Sequence, residues 1–210
     1  MDILKALPMA FVMVAGPQIV TAIMLATSTR PKPNSLAFLA GVAVAVTIGL
    51  SLFYVLAGSV HPDPSDSSTG SNVLNIVAVA LLVVLAGLAF RNRNKTDPPK
   101  WMAKLQDATP AFCLRIGFVL FLVMPSDLIT MMTVSNLVAH AGEPWWHTLL
   151  FMALTVVFAG VPLILLTALG ARAEAQLPRV RQWISTNAWI VNEIVIAFFL
   201  VMMLDSLFGS

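Results

Sequence analysis

Six apolar runs separated by polar loops set the pattern of this chain, lying approximately at 3–27, 36–58, 73–90, 111–139, 147–169 and 187–207. Each approaches or exceeds the roughly 20 residues that cross a hydrocarbon core of about 30 Å. The run at 73–90 is the shortest, and the run at 111–139 is long enough to tilt or break. Lipid offers no partner to open backbone groups, so every run is predicted to be a helix. The expected fold is an all-α integral membrane protein with six transmembrane helices. A single membrane domain fills 1–210 and leaves no room for a sizeable soluble one. The first run does not read as a signal peptide, being too long and carrying Gly16-Pro17-Gln18 in its middle.

The chain also resembles itself at half its length. The first run holds Gly16-Pro17-Gln18-Ile19-Val20-Thr21 and the fourth holds Met124-Pro125-Ser126-Asp127-Leu128-Ile129-Thr130, each with a mid-helix proline followed by polar residues. The second run ends Ala57-Gly58 and the fifth Leu169-Gly170; Asn75 precedes Ala80-Leu81-Leu82-Val83 as Asn192 precedes Ala197-Phe198-Phe199-Leu200. Repeat 1 covers about 1–92 and repeat 2 about 110–210, joined by a cytoplasmic linker at about 91–110. A unit of three crossings is odd, so its two copies run through the membrane in opposite directions. This 3+3 inverted-topology repeat is a common transporter plan, with the substrate site at the repeat interface.

Composition and charge agree with the pattern and add a direction to it. Apolar residues make up 59% of the chain; 12 basic and 10 acidic residues are 10% of it, against about 25% in a soluble domain. Mean hydropathy is +0.89. Ten of the 12 basic residues fall in the loops after the first, third and fifth runs, the exceptions being Lys5 and Arg115. Those loops should face the cytoplasm, with both termini extracytoplasmic and the protein in the inner (plasma) membrane. Basic residues confined to short loops do not indicate nucleic acid. The tryptophans fit an interfacial belt: Trp145 and Trp146 on the outer side, Trp101, Trp183 and Trp189 near inner loops. The stretches 100–105 and 176–183 read either as amphipathic segments on the inner leaflet or as solvated loops.

Chemistry concentrates at the two prolines. Proline removes a backbone donor and clashes with the preceding turn, so Pro17 and Pro125 can each open a second half-helix whose N-terminus carries partial positive charge. Gln18, Thr21, Ser126, Asp127 and Thr130 lie within a turn of these openings; the alternative is a pair of structural kinks. Asp127, some 16 residues into the fourth run, sits near the midplane, where an aspartate costs about 2.5–3.5 kcal/mol. It reads as a protonatable carboxylate that couples transport or contacts substrate, or as a cap on the half-helix dipole; the roles can coexist. Asn192 and Glu193 lie about seven residues inside the sixth run. Glu193 either lines the inner mouth of a pathway or pairs with Arg115. Asn75 and Asn136 are expected to bond between helices, and Gly41, Gly49 and Gly58 to allow close helix packing. His61, His140 and His147 have no metal-site spacing, and the lone Cys113 excludes an intrachain disulfide and a thiol pair. No catalytic motif is present, so neither an enzyme nor a cofactor is expected.

With Gly16-Pro17-Gln18, Pro125-Ser126-Asp127 and the six-helix layout, the chain resembles the LysE superfamily of exporters. Within it, the resemblance is to the actinobacterial GAP proteins, glycopeptidolipid- or sulfolipid-addressing proteins. What the resemblance implies is export of cell-envelope lipids or glycolipids in mycobacteria or their relatives, with the broken first and fourth helices as the transport centre. Two alternatives are kept: a LysE-type exporter of small solutes such as amino acids or cations, and an accessory subunit of a larger lipid-export complex. Six helices scarcely surround a large substrate, which makes a homodimer a natural assembly.

Overall fold

A computed structural model describes residues 3–59, 105 and 107–186. The runs at 73–90 and 187–207, and with them Asn75, Trp189, Asn192 and Glu193, lie outside the described residues, as do His61, Trp101 and nearly all of the 100–105 stretch.

All regular structure among the described residues is helical: α1 (Ile3–Val14), α2 (Pro17–Ala26), α3 (Pro31–Ser59), α4 (Pro110–Val123), α5 (Pro125–His140), a 3-10 turn at Trp145–His147, α6 (Thr148–Leu169) and α7 (Ala171–Thr186). The first and fourth runs are not straight spans. Each is a helix pair bent by 69°, α1 with α2 and α4 with α5. Helix α3 and the stretch through α6 are each long and apolar enough to cross a membrane, and each bent pair is so as a unit. The described residues thus offer two candidate spans, or four if each bent pair is one span, in the order bent pair, long helix, bent pair, long helix.

The two breaks use different backbone devices. At the first, Gly16 takes φ +120°, a conformation that a side chain strains, and Pro17 opens α2. At the second, Met124 is extended (φ −72°, ψ 124°) before Pro125 at the first position of α5. A residue before proline is pushed out of the helical region by the ring, so no glycine is required.

The halves interlock. Helix α3 packs chiefly on α4 and α5, whereas α6 packs on α1, α3 and α2, so each long helix lies against the bent pair of the other half. Between helices in lipid, apolar burial contributes little drive, and small residues and polar bonds must hold the contact. The α3–α4 seam fits this. Gly41 of α3 faces the backbone of Leu114, and Gly117 of α4 faces the backbone of Phe38; a Cβ at either would lie 2.1 Å and 2.4 Å from a carbonyl oxygen. Gly49 faces only the flexible Met131 side chain. Ser135 of α5 donates to the Leu50 carbonyl at 2.9 Å. It makes the interhelical bond expected of Asn136, which is half-buried.

Side-chain bonds also mark the two ends of the bundle. Buried Asn34, near the start of α3, donates to Ser28 Oγ at 3.2 Å and to the Ala108 carbonyl at 3.0 Å, joining the α2–α3 turn to the entrance of α4. Ala173 and Leu177 of α7 cluster with Ile23 and Ala26 of α2 and Leu166 of α6 at the same end. Arg30 of the turn and Lys32 in the first turn of α3, together with Arg172 and Arg179 of α7, belong to this end. At the opposite end, Tyr54 Oη donates to the Glu143 carbonyl at 2.9 Å. The chain therefore leaves α3 at one end and enters α4 at the other. Helix α7 buries Ala173 and Leu177 and exposes Arg172, Arg179 and Trp183, the amphipathic alternative for 176–183, extended to sixteen residues.

Asn34→Ala is expected to lower unfolding stability by about 1 kcal/mol. It strips the buried Ala108 carbonyl of its donor, but also removes the unpartnered Asn34 Oδ1. Chemical denaturation of the protein in detergent micelles measures the difference.

Candidate functional site

The sequence places a proline, then polar residues, at each break, and the fold brings the two breaks together. Pro17 puts Gln18 in the first turn of α2, and Pro125 puts Asp127 in the first turn of α5. Gln18 Nε2 donates to Asp127 Oδ2 at 2.8 Å across 109 residues of sequence. Ser126 Oγ donates to the other carboxylate oxygen at 3.2 Å. The carboxylate therefore accepts one hydrogen bond from each half of the molecule.

Two threonines complete the set without joining the bridge. Thr21 Oγ1 donates to the Pro17 carbonyl at 2.7 Å, and Thr130 Oγ1 to the Ser126 carbonyl at 2.8 Å. Each returns its hydroxyl to the preceding turn of its own half-helix, which satisfies that group without water.

The site is closed. Gln18 and Asp127 are each 1% exposed, Thr21 0% and Thr130 4%, while Ser126 at the edge is exposed. Gln18 Oε1 has no hydrogen-bond partner. A buried carboxamide that is only half-satisfied costs stability, so one end of Gln18 is an unmet acceptor beside the acid. Asp127 also lies in the first turn of α5, where negative charge compensates the helix dipole. No side chain makes a capping hydrogen bond at this helix start; the Asp127 carboxylate accepts from the Gln18 and Ser126 side chains.

Arg115 is exposed on α4; its expected pairing with Glu193 lies outside the described residues. Among the described residues no three His, Cys, Asp or Glu side chains gather as for a metal ion. His147 instead pairs with Glu143 in the loop before α6. Sequence reasoning selected Gln18 and Asp127 separately and did not pair them. The available signal was that each follows its proline closely, Gln18 by one place and Asp127 by two.

A family model described as Sap, sulfolipid-1-addressing protein, matches residues 6–206. No curated protein and no solved structure matches the chain.

Proposed function

Because the chain belongs to the sulfolipid-1-addressing protein family, and because its two bent spans meet at one buried acid, we propose that it moves lipids or glycolipids of the cell envelope across or out of the inner membrane. The observation that carries this reading is the Gln18–Asp127 bond between the breaks. A transporter built on paired discontinuous helices keeps its working groups where these meet. The matched 69° bends, the interlocked halves and the opposite ends at which α3 leaves and α4 enters support a 3+3 inverted repeat, and with it a place in the LysE superfamily. Basic residues gathered at the end that holds Arg30 and Arg172 support a cytoplasmic assignment for that end.

The bridge supplies a means of coupling to protons. An ionised Asp127 accepts from Gln18 Nε2 in the geometry of this bond. A protonated Asp127 instead offers an O–H, and the group able to receive it is the unpartnered Gln18 Oε1. Rotation of the Gln18 carboxamide exchanges the two arrangements, so the link between the halves changes its donor and acceptor with each proton. Pro17 and Pro125 provide the hinges, and Thr21, Ser126 and Thr130 line the adjacent turns. Glu193 and Asn192 would complete the cytoplasmic side of the route.

A second reading is favoured by one observation, the closure of the core around Gln18 and Asp127. An accessory subunit that docks on a larger lipid exporter needs no pathway of its own. The purified protein, alone in vesicles that carry an acyl-labelled glycolipid, separates the two. Transfer of label between leaflets faster than in empty vesicles supports transport by this chain; equal rates refute it and favour the accessory role.

A further inference from the structure

The outward surface of α5 combines a polar stripe with a groove. Along α3 the exposed positions include Val44, Ile48, Leu52 and Val55, with Thr47, Ser51 and Tyr54 half-buried beside them, and along α6 Val157 and Ile164, with Thr167 near its end. Along α5 the corresponding stripe carries Ser126, Thr133, Asn136 and His140, each exposed or half-buried. At 3.6 residues per turn these four fall within an arc of about 80° and cover about 21 Å of axis. The stripe starts at Ser126, whose hydroxyl bonds Asp127, and ends at the turn that holds Glu143. Ile129 and Leu137 are its apolar interruptions.

Two of these polar groups are bonded inside their own helix. Thr133 Oγ1 donates to the Ile129 carbonyl at 2.8 Å, and His140 Nδ1 lies 2.7 Å from the Asn136 carbonyl. Thr133, Asn136, Leu137 and His140 also line an open groove of about 220 Å³. Pockets that enclose a whole small molecule usually measure about 300–1,000 Å³, so this one suits part of a ligand. Hydroxyl and carboxamide groups in a shallow groove beside acyl chains match an uncharged, hydroxyl-rich headgroup.

Resting on the lipid-transport reading above, we propose that this face of α5 is a track for the headgroup of the transported lipid. The headgroup passes between the break at Ser126 and the groove at His140, while the acyl chains remain in the bilayer. A small protein with a closed core can thus handle a large lipid, because only the polar part needs a path.

The test uses the full chain in vesicles with an acyl-chain-labelled glucosyl diacylglycerol, followed by dithionite bleaching of the outer leaflet. Thr133→Leu with Asn136→Leu should slow transfer about tenfold, the loss of two headgroup hydrogen bonds. Ile129→Thr, on an exposed position that does not hold the fold, should speed it by removing an apolar gap. Unchanged rates in both variants, beside an active wild type, overturn the track and leave the transport function standing. If the double variant fails to fold, Ile129→Thr and His140→Leu decide, and unchanged rates in both again overturn it. A wild type no faster than empty vesicles instead overturns the transport reading on which the track rests.

Discussion

Asp127→Asn is expected to stop lipid movement while leaving the protein folded. Asparagine has the shape of aspartate, and its Oδ1 can still accept from Gln18 Nε2, the bond now measured at 2.8 Å. What it cannot do is gain and lose a proton, so the carboxamide of Gln18 has nothing to follow. Transfer of labelled glycolipid should fall to the rate of empty vesicles, with little change in the unfolding midpoint. Asp127→Leu should behave differently. It leaves Gln18, already without a partner at Oε1, with both ends buried and unpaired, at a cost of about 1–3 kcal/mol. A double-mutant cycle with Gln18→Leu should recover part of that loss, since residues that share a bond are non-additive. Full transport by a folded Asp127→Asn protein would remove this residue from the mechanism.

Gly117→Val is expected to have the largest effect on the fold itself. A Cβ at this position meets the Phe38 carbonyl oxygen at 2.4 Å, with the Phe38 ring at 3.1 Å. The first obstacle is backbone and cannot rotate away, so α3 and α4 must move apart. Separation also opens the reciprocal contact at Gly41, where only 2.1 Å separates a Cβ from the Leu114 carbonyl, and disturbs the edge-to-face pair of Phe38 and Phe121. Overpacking of this kind costs about 1–3 kcal/mol, occasionally more, well above the gain of about 0.3 kcal/mol from replacing a helical glycine by valine. Recovery of monodisperse protein in detergent should collapse for Gly117→Val and Gly41→Val. Gly49→Ala should be tolerated, because its nearest obstacle is the Met131 sulfur at 2.4 Å, the mobile part of a flexible side chain.

The breaks were legible in the chain because Pro17 and Pro125 each stand beside polar residues inside an apolar run, whereas Pro162, among apolar residues, lies inside an unbroken α6. Asp127 was legible because an acid inside an apolar run has few explanations. The partner of Asp127 was not, since a contact across 109 residues depends on how spans pack and leaves no local pattern. Gly41 could be read from spacing along the second run, but Gly117 could not, since its role comes from the carbonyl of Phe38 opposite. Helix α7 was underestimated for a related reason. Pro178 lies inside it and argues locally for interruption, whereas Ala173 and Leu177 hold it against α2 and α6.

The bridge between Gln18 and Asp127 also sets an order of events during synthesis. Gln18 enters the membrane long before its partner exists, because 109 residues separate them. At about 5–20 residues per second, the ribosome needs on the order of 5–20 s to make that stretch. Throughout this interval the first bent span carries an unsatisfied carboxamide at its break, and α3 lacks the helices on which it chiefly packs. The first half must therefore be held by lipid, water or an insertion factor until the second arrives. Slowed translation between the halves should expose the nascent chain to quality-control proteolysis before it affects any later step.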